Sequence, residues 1–199
     1  VQYEGFCNFL SELNGDSLFD EIDKIVNNSV KEKLIGDQKV GCFLSGGIDS
    51  SLIAAYAQNH LNGNLETFSI GFRTSGFDES PFANEVSKMI KTKHTCFYLE
   101  EKDILDIAVN LKNIFDEPFA DESQICMIHL CKKVRNEAGI KVALSGDGGD
   151  ELFCGYNRYT SGYEIYKTLK KSKLLTKLLI ILKITPFEFV DKLLNMLPR

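Results

Sequence analysis

The sequence predicts an α/β protein, a doubly wound parallel sheet followed by a segment that is helical throughout. Two observations predict it. Short apolar runs alternate with longer segments of helical periodicity, and the runs are almost continuously apolar, as in parallel strands that helices cover on both faces. Beyond residue 150 the strand-like runs cease. We therefore expect a sheet-containing domain over residues 1–160 and a helical extension, itself incomplete, over residues 161–199.

The first predicted element is a helix over residues 16–35, which leads into the sheet. Asp16 or Ser17 is the expected N-cap, since both side chains can accept hydrogen bonds from first-turn amides. The apolar residues recur at helical spacing, which places them on one face. That face consists of Leu18, Ile22, Ile25, Val26, Val30 and Leu34.

Four strands and four further helices then alternate. The predicted strands are short runs rich in β-branched, aromatic and leucine residues, bounded by glycine, asparagine or charged residues. They cover residues 39–46, 65–72, 94–100 and 141–146. The longer segments with helical spacing cover residues 49–61, 79–91, 101–115 and 123–138. Right-handed crossovers between such units give an open, doubly wound sheet.

The composition fits one medium-sized globular domain. Of the 199 residues, 44% are hydrophobic, enough for a core, and 26% are charged, an ordinary proportion. The net charge of -5 argues against a dedicated nucleic-acid-binding protein, and the lysines beyond residue 161 indicate a solvated basic helix face. The longest apolar stretch, residues 175–185, is interrupted by lysines, so no membrane span is predicted.

The six cysteines predict buried, reduced thiols. They are scattered, none forms a CxxC pair, and Cys126 and Cys131 lack the neighbouring ligands of a zinc site. This use of cysteine is typical of a cytoplasmic protein, and no secretory signal opens the sequence. The three histidines, His60, His94 and His129, are interpreted as structural.

The stretch SGGIDSS predicts an anion-binding turn between a buried strand and a helix. Glycines let a large anion approach the backbone, unpaired amides at the helix start point towards it, and serines add hydroxyl donors. The residues expected to form this cradle are Ser45, Gly46, Gly47, Ser50 and Ser51. Asp49 would repel a bare phosphate, so its presence predicts a magnesium ion between the two. The alternative is a tight turn with Asp49 as an N-cap, since the lysine of a Walker A loop is missing.

A second loop, in the stretch KVALSGDGGDELF, repeats the arrangement. An apolar strand is followed by Ser145 and Gly146, then by Asp147, two glycines and Asp150. Ligands of open parallel sheets bind beyond the carboxyl ends of the strands, where the winding reverses. If the two strands are neighbours, both loops face one crevice, and Asp49 and Asp150 can share the magnesium ion. The predicted site depends on this adjacency.

Together these loops resemble a known family. SGGIDSS is similar to the pyrophosphate-binding loop of the N-type ATP pyrophosphatases. With LSGDGGDELFCGYNRY it resembles the synthetase domain of the glutamine-dependent asparagine synthetases and their amidotransferase relatives. The resemblance runs from about Phe19 to about Tyr159 and includes FSIGF, FDES and DEPFADES. It implies the adenine nucleotide alpha hydrolase-like fold.

The resemblance implies an ATP-dependent amide ligase that uses ATP and Mg²⁺. A substrate carboxylate, most simply that of aspartate, attacks the α-phosphate of ATP, pyrophosphate leaves, and ammonia derived from glutamine displaces AMP. The first loop is implied to bind pyrophosphate, and Asp49 and Asp150 to hold the metal ion. Further contacts to ATP are implied for Leu44, Ile70, Ser145 and Gly146.

Asp147 is the implied catalytic residue, a base that removes a proton from the attacking ammonium. Glutamate occupies this position in the best-known members, so the shorter side chain leaves open which carboxylate is amidated, that of aspartate or another such as a sugar acid. Two further interpretations stay open. One is a tRNA-thiolation enzyme, which shares the first loop, and the other is a binding module that has lost its chemistry.

Other polar residues near predicted helix starts carry weaker signals. Each is interpreted equally well as a solvated cap or as a site residue. They are Asp78, Glu79, Asp116, Glu117, Asp121 and Ser123. The family pattern slightly favours a site role for Glu117 and Ser123.

The resemblance also implies parts outside this sequence. Glutamine-dependent members begin with a glutaminase domain whose nucleophile is the N-terminal cysteine, whereas this sequence begins at Val1. A lysine that stabilises charge during adenylation lies on a later segment in the family. We therefore expect a fragment of a longer cytoplasmic enzyme that acts on small molecules and has no nucleic-acid or membrane partner. A homodimer is compatible with this expectation.

Overall fold

The computed structural model describes residues 15–73, 78–117, 121 and 123–171. The chain divides into two compact units, Val1–Asp147 and Gly148–Arg199. The first unit holds the sheet, and the second is helical over most of its described residues. The functional division predicted at residue 160 stays a prediction.

The described elements of the first unit follow the predicted alternation. In chain order they are α1 (Gly15–Lys33), β1 (Val40–Phe43), α2 (Ile48–His60), β2 (Glu66–Phe72), α3 (Ser80–Ile90), β3 (Lys93–Leu99), α4 (Glu101–Asn110), a 3-10 turn (Leu111–Asn113), α5 (Ser123–Glu137) and β4 (Val142–Leu144). All four predicted strands and all five predicted helices are present, with ends that differ by a few residues. The largest difference is at α4, because the residues after Asn110 tighten into the 3-10 turn.

The four strands form one parallel sheet in the order β3-β2-β1-β4. From β1 the chain adds β2 and then β3 on one side, whereas β4 pairs with the other side of β1. The direction of winding therefore reverses between β1 and β4. Such a reversal opens a crevice at the carboxyl ends of the two strands. The predicted fold class, a doubly wound parallel sheet, is confirmed.

One face of the sheet is covered by α1, α2 and α3. Cys42 and Leu44, alternate residues at β1, are buried in this layer together with alanines of α2 and α3. Alanine side chains let the helices lie close to the strands. Burial raises the pKa of the Cys42 thiol to about 12, so this cysteine is protonated and unreactive at neutral pH.

The opposite face has its own apolar core beneath α5. The rings of Phe68 and Phe97, from the neighbouring strands β2 and β3, stack with their centroids 6.3 Å apart. Leu130 and Val134 of α5 are buried against them, together with Ile140 before β4. Apolar layers on both faces of a sheet require strands without regular polar alternation, which is the pattern seen in the sequence.

Two polar contacts fix α1 against α2. The hydroxyl of Tyr56 donates to the carboxylate of Asp23, and this hydrogen bond raises the pKa of Tyr56 to about 12. His60 Nε2 lies 2.8 Å from Asn27 Oδ1. The two residues are four apart on each helix, so the contacts lie one turn apart along the interface. The leading helix is therefore joined to the sheet domain by polar as well as apolar contacts.

The predicted burial of the cysteines is correct only in part. Cys42 is buried, Cys96 and Cys126 are half-buried, and Cys131 and Cys154 are exposed. The prediction is wrong for the last two. Cys131 follows the buried Leu130 but is turned about 100° from it around α5 and is not part of the apolar core, and Cys154 is the C-cap of a short helix with no buried residues. These five described cysteines are free thiols, and position 7 lies outside the described residues.

The second unit contains α6 (Gly149–Phe153) and α7 (Asn157–Lys171), so its described residues confirm the helical prediction. The guanidinium carbon of Arg158 lies 4.0 Å from the ring centroid of Tyr156 and 5.5 Å from that of Tyr159, within the range of a cation–π contact. The apolar stretch over residues 175–185 lies outside the described residues. Within the part of the chain that is described, no helix combines the length and apolar character needed to cross a membrane.

A polar cluster joins β2 to β3 on the face that α3 covers. His94 Nδ1 lies 3.0 Å from Thr67 Oγ1, and His94 Nε2 lies 3.0 Å from Ser69 Oγ. Thr67 Oγ1 also lies 2.8 Å from Thr92 Oγ1. The imidazole is held at both nitrogens, in agreement with a structural role, and burial lowers the pKa of His94.

We expect His94 to make the free energy of unfolding fall as the pH is lowered below about 6.5, the value for an unfolded histidine. Burial disfavours the imidazolium in the folded protein, so below that pH the unfolded chain binds the extra proton more readily. His94→Gln should flatten this dependence, and His60→Gln should leave it in place. Urea unfolding at a series of pH values measures the slope. An unchanged slope in His94→Gln would contradict the assignment.

Candidate functional site

The loop after β1 is a tight turn that only glycine can form at its second position. Gly46 has φ +88°, a conformation that L side chains rarely adopt. A Cβ atom at Gly46 would also lie 2.6 Å from the Cβ and carbonyl carbon of Phe82 and 2.7 Å from the amide nitrogen of Ala83. The turn is therefore pressed against the first turns of α3.

Serine hydroxyls hold the turn in shape. Ser45 Oγ lies 2.9 Å from Ser50 Oγ and accepts a hydrogen bond from the Gly47 amide at 3.2 Å. The amide of Ser45 donates in turn to Ser50 Oγ at 3.3 Å. The two serines predicted to bind phosphate thus also close the turn on itself, which arranges it before any ligand arrives.

The hydroxyl of Ser51 has no such partner. Its Oγ is buried and makes no hydrogen bond to any described residue. A buried hydroxyl without a partner costs on the order of 1–3 kcal/mol. Ser51 is the fourth residue of α2, and its own amide donates to the Gly47 carbonyl at 3.1 Å. The amides of the three helical residues before it have no partner within an ideal helix, and the helix dipole is positive at this end. A bound anion would satisfy both the amides and this hydroxyl.

Asp49 lies in the first turn of α2 and is half-buried. The N-cap of α2 is Gly47, which makes no side-chain capping hydrogen bond. The alternative interpretation of Asp49 as the N-cap is therefore wrong. The reason is that the turn is closed by serine hydroxyls, so the helix begins one residue earlier than the sequence suggested.

The second loop touches the first. Ser145 and Gly146 follow β4, the neighbour of β1 in the sheet. A Cβ atom at Gly146 would lie 2.7 Å from the amide nitrogen of Ser50 and 3.0 Å from the carbonyl carbon and the Cβ of Asp49. The two serine-glycine turns therefore lie side by side at the reversal point, and the adjacency on which the predicted site depends is confirmed.

The base predicted in the second loop is held by its neighbour. Ser145 Oγ donates to Asp147 Oδ2 at 2.9 Å, and the carboxylate is exposed. The hydrogen bond ties the side chain back to the end of β4 and leaves the other carboxylate oxygen available for a proton. Asp147 therefore has a defined orientation within the first unit.

The remaining predicted positions differ in what they can offer a ligand. Leu44 is 1% exposed and its side chain packs in the core, so only its backbone can face the crevice. Ile70, near the end of β2, is half-buried. Asp150 belongs to the second unit, in the first turn of α6, and its sharing of one ion with Asp49 stays a prediction. Among the described residues, no group of three or more histidine, cysteine or acidic side chains could hold a metal ion.

Two of the residues with weaker signals make capping contacts at helix starts. Asp121 Oδ1 accepts from the amide and the hydroxyl of Ser123 at the start of α5, at 2.8 and 2.6 Å. Asp78 makes the corresponding contacts at the start of α3. The packing of Phe82 and Ala83 on Gly46 was not predicted, because nothing in the sequence of a helix start indicates which loop it will meet.

The fold and the paired turns define a doubly wound α/β domain with two serine-glycine turns side by side at its reversal point. The family model for asparagine synthase matches residues 21–185. The chain belongs to the asparagine synthase family.

The most similar relatives include three proteins named as asparagine synthetases. A putative asparagine synthetase [glutamine-hydrolyzing] 2 of Methanocaldococcus jannaschii is 37% identical over 149 residues, 74% of this chain and 28% of the relative. A putative enzyme of Mycobacterium tuberculosis is 36% identical over 73% of this chain and 22% of its own. Asparagine synthetase [glutamine-hydrolyzing] 1 of Bacillus subtilis is 35% identical over 72% of this chain and 22% of its own length. The chain thus spans about a quarter of the length of these curated relatives.

Solved structures show a looser similarity. An NH3-dependent NAD synthetase from Campylobacter jejuni superposes with a TM-score of 0.47 at 18% identity, covering 69% of this chain and 60% of its own. An NMN synthetase from Francisella tularensis superposes with a TM-score of 0.49 at 16% identity, covering 69% and 58%.

We expect Gly146→Ala to destabilise the fold by about 1–3 kcal/mol, the usual cost of overpacking, and to displace the first loop. Its Cβ would meet backbone atoms of Ser50 and Asp49, which cannot rotate away. Gly36→Ala is the matched control, since nothing lies within 4 Å of its added atom. Chemical unfolding of both variants measures the difference. Equal stabilities would contradict the contact between the two turns.

Proposed function

We propose that this chain is the synthetase part of an ATP-dependent amide ligase that makes asparagine from aspartate. The carboxylate oxygen of the substrate attacks the α-phosphorus of ATP, and the bond to pyrophosphate breaks. Ammonia derived from glutamine then attacks the carbonyl carbon of the acyl-adenylate, and AMP leaves. The observation that carries the proposal is the contact between the two serine-glycine turns, supported by family membership.

The first turn has the chemistry to hold the departing pyrophosphate. The amides at the start of α2, the hydroxyls of Ser45 and Ser50, and the unpartnered hydroxyl of Ser51 are donors around Gly46 and Gly47. Donors fixed in place before the reaction stabilise charge as it develops, without reorganisation at that moment. Because the serines already hold each other, the turn pays little ordering cost when the phosphates bind.

Asp49 and Asp150 are the residues that would hold a magnesium ion. Magnesium is usually bound by one or two carboxylates together with substrate phosphates, so a pair of aspartates suffices without a larger acidic cluster. Asp49 lies half-buried beside the anion-binding turn, which fits this arrangement. The bound ion would supply charge neutralisation for the phosphates.

Asp147 is the proposed base. Oδ2 is occupied by the hydrogen bond from Ser145, and Oδ1 can take the proton that the attacking nitrogen loses. Leu44, Ile70, Ser145 and Gly146 are the further residues proposed to contact the nucleotide. Leu44 would contribute its backbone, because its side chain is buried. The tRNA-thiolation alternative is not favoured by the charge of the chain, which is acidic. Burial raises the pKa of the Cys42, Cys126 and Cys131 thiols, which makes them less reactive as nucleophiles.

A related amidation of another carboxylate, such as that of a sugar acid, is the second candidate. It is favoured by one residue, Asp147, because the best-known asparagine synthetases have a glutamate at this position. The shorter side chain places the base about one methylene further from the attacking nitrogen. A glutaminase domain as the ammonia source, a cytoplasmic location and a homodimer are proposed together with the activity.

The proposal is tested by pyrophosphate release from ATP and magnesium with a panel of carboxylates, using the full-length protein. Release that depends on aspartate and ammonia, and yields asparagine, supports the proposal. Release with a sugar acid alone selects the second candidate, and release that requires tRNA selects thiolation. If no substrate supports pyrophosphate release, the protein is a binding module that has lost its chemistry.

We expect Asp49→Asn to weaken magnesium-dependent ATP binding at least about tenfold, the loss that even outer-shell partners of a metal ion cause. Asparagine keeps the size of the side chain but removes the charge that would hold the ion. Asp37→Asn, an exposed residue before β1 and so at the other end of the strand, is the control. Isothermal titration with and without magnesium measures both. Unchanged magnesium dependence in Asp49→Asn would show that the metal assignment is wrong.

A further inference from the structure

The first loop rests on a helix that does not belong to the proposed site. As described above, Phe82 and Ala83 of α3 approach Gly46 so closely that no side chain fits between them. Backbone atoms on both sides of a contact cannot give way by rotating. The position of the turn is therefore set by where α3 begins, and the start of α3 becomes part of what shapes the site.

The start of α3 is held by a carboxylate one residue before the N-cap, that of Asp78. The N-cap residue, Glu79, makes no side-chain capping hydrogen bond. Instead, Asp78 Oδ1 accepts from the amide of Ser80 at 3.1 Å and from the amide of Phe72 at 3.3 Å. Phe72 is the last residue of β2. One oxygen atom thus joins the carboxyl end of an inner strand to the first turn of the helix.

This junction has the properties of a rigid link. Ser80 is 3% exposed, and Asp78 is half-buried. Hydrogen bonds from the Ser80 side chain and then its amide lower the pKa of Asp78, so the carboxylate is ionised at neutral pH. Hydrogen bonds to an ionised acceptor are about twice as strong as those between neutral groups. Further along, the amides of Phe82 and Ala83 both donate to the Glu79 carbonyl, at 3.1 and 3.2 Å.

We propose that Asp78 is a positioning residue for the anion-binding turn: through α3 it sets the place of Gly46 relative to the sheet. The ligand side of this inference rests on the proposed function, in which that turn holds pyrophosphate. Asp78 itself touches no substrate in this account. It transmits the position of β2 to the turn after β1 by way of Ser80, Phe82 and Ala83.

Three variants separate positioning from general stability. Asp78→Ala removes the hydrogen bonds from Ser80 and Phe72, whereas Asp78→Asn keeps an oxygen that can accept them and should restore most of the effect. Asp103→Ala is the control, because Asp103 Oδ2 also accepts from an amide at a helix start, that of Glu100 at 3.1 Å, as part of the capping box of α4. Among the described elements, the main packing partners of α4 are α5 and the 3-10 turn, whereas the atoms nearest to a Cβ at Gly46 belong to α3.

The first measurement is amide hydrogen exchange in the peptide covering residues 44–51, without any ligand. We expect faster exchange in Asp78→Ala, exchange near the wild-type rate in Asp78→Asn, and no change in Asp103→Ala. Unchanged exchange in Asp78→Ala, or an equal increase in Asp103→Ala, would overturn the inference. This result stands even if the wild-type protein binds no ATP, an outcome that overturns the proposed function alone.

The second measurement uses the full-length protein in the pyrophosphate-release assay. We expect Asp78→Ala to raise the KM for ATP and the inhibition constant of inorganic pyrophosphate about three- to tenfold, the range of coupling changes at residues away from ligands. The KM for the carboxylate substrate should stay within about twofold, because a loosened turn affects the phosphates first. Parallel changes in all three constants would indicate general loss of structure and contradict a positioning role.

Discussion

The close approach of two turns at the carboxyl ends of β1 and β4 is the contact on which the rest of this structure depends. Gly146 leaves space for the amide of Ser50, and no other residue could do so without moving the backbone. The contact exists because β4 pairs with β1 instead of extending the sheet beyond β3. One reversal of winding thereby brings residues about a hundred positions apart in the sequence into a single crevice.

The turn itself is shaped by its own hydroxyls and by the helix beneath it. Ser45 and Ser50 share a hydrogen bond that closes the loop, and Gly46 fits against α3 because it has no side chain. This arrangement leaves the buried hydroxyl of Ser51 without a hydrogen-bond partner within the described protein. In the proposed function, a bound phosphate would give this hydroxyl a partner and offset the cost of burying it without one.

The proposed chemistry assigns different tasks to two layers of residues. Serines, glycines and amides would hold the phosphates. Asp49 and Asp150 would bind the magnesium ion, and Asp147 would accept a proton. The hydrogen bond from Ser145 to Asp147 links the two groups of residues, since both residues follow the same strand. If amide formation is the activity, the base and the phosphate cradle are fixed to adjacent strands of one sheet, so their separation varies little as the surface loops move.

The amino-acid sequence by itself determined the order of strands and helices. The spacing of apolar residues and the positions of glycines are local properties of the chain, and they decide secondary structure directly. It also predicted the position of the first serine-glycine turn, since a strand, two glycines and a helix start occur within a few residues. Four features were decided only by the tertiary structure. They are the pairing of β1 with β4, Gly47 in place of Asp49 as the N-cap of α2, the exposure of Cys131, and the contact of Gly46 with Phe82. Each depends on which distant segments pack together, and that choice is made by the whole core and not by any one stretch of chain.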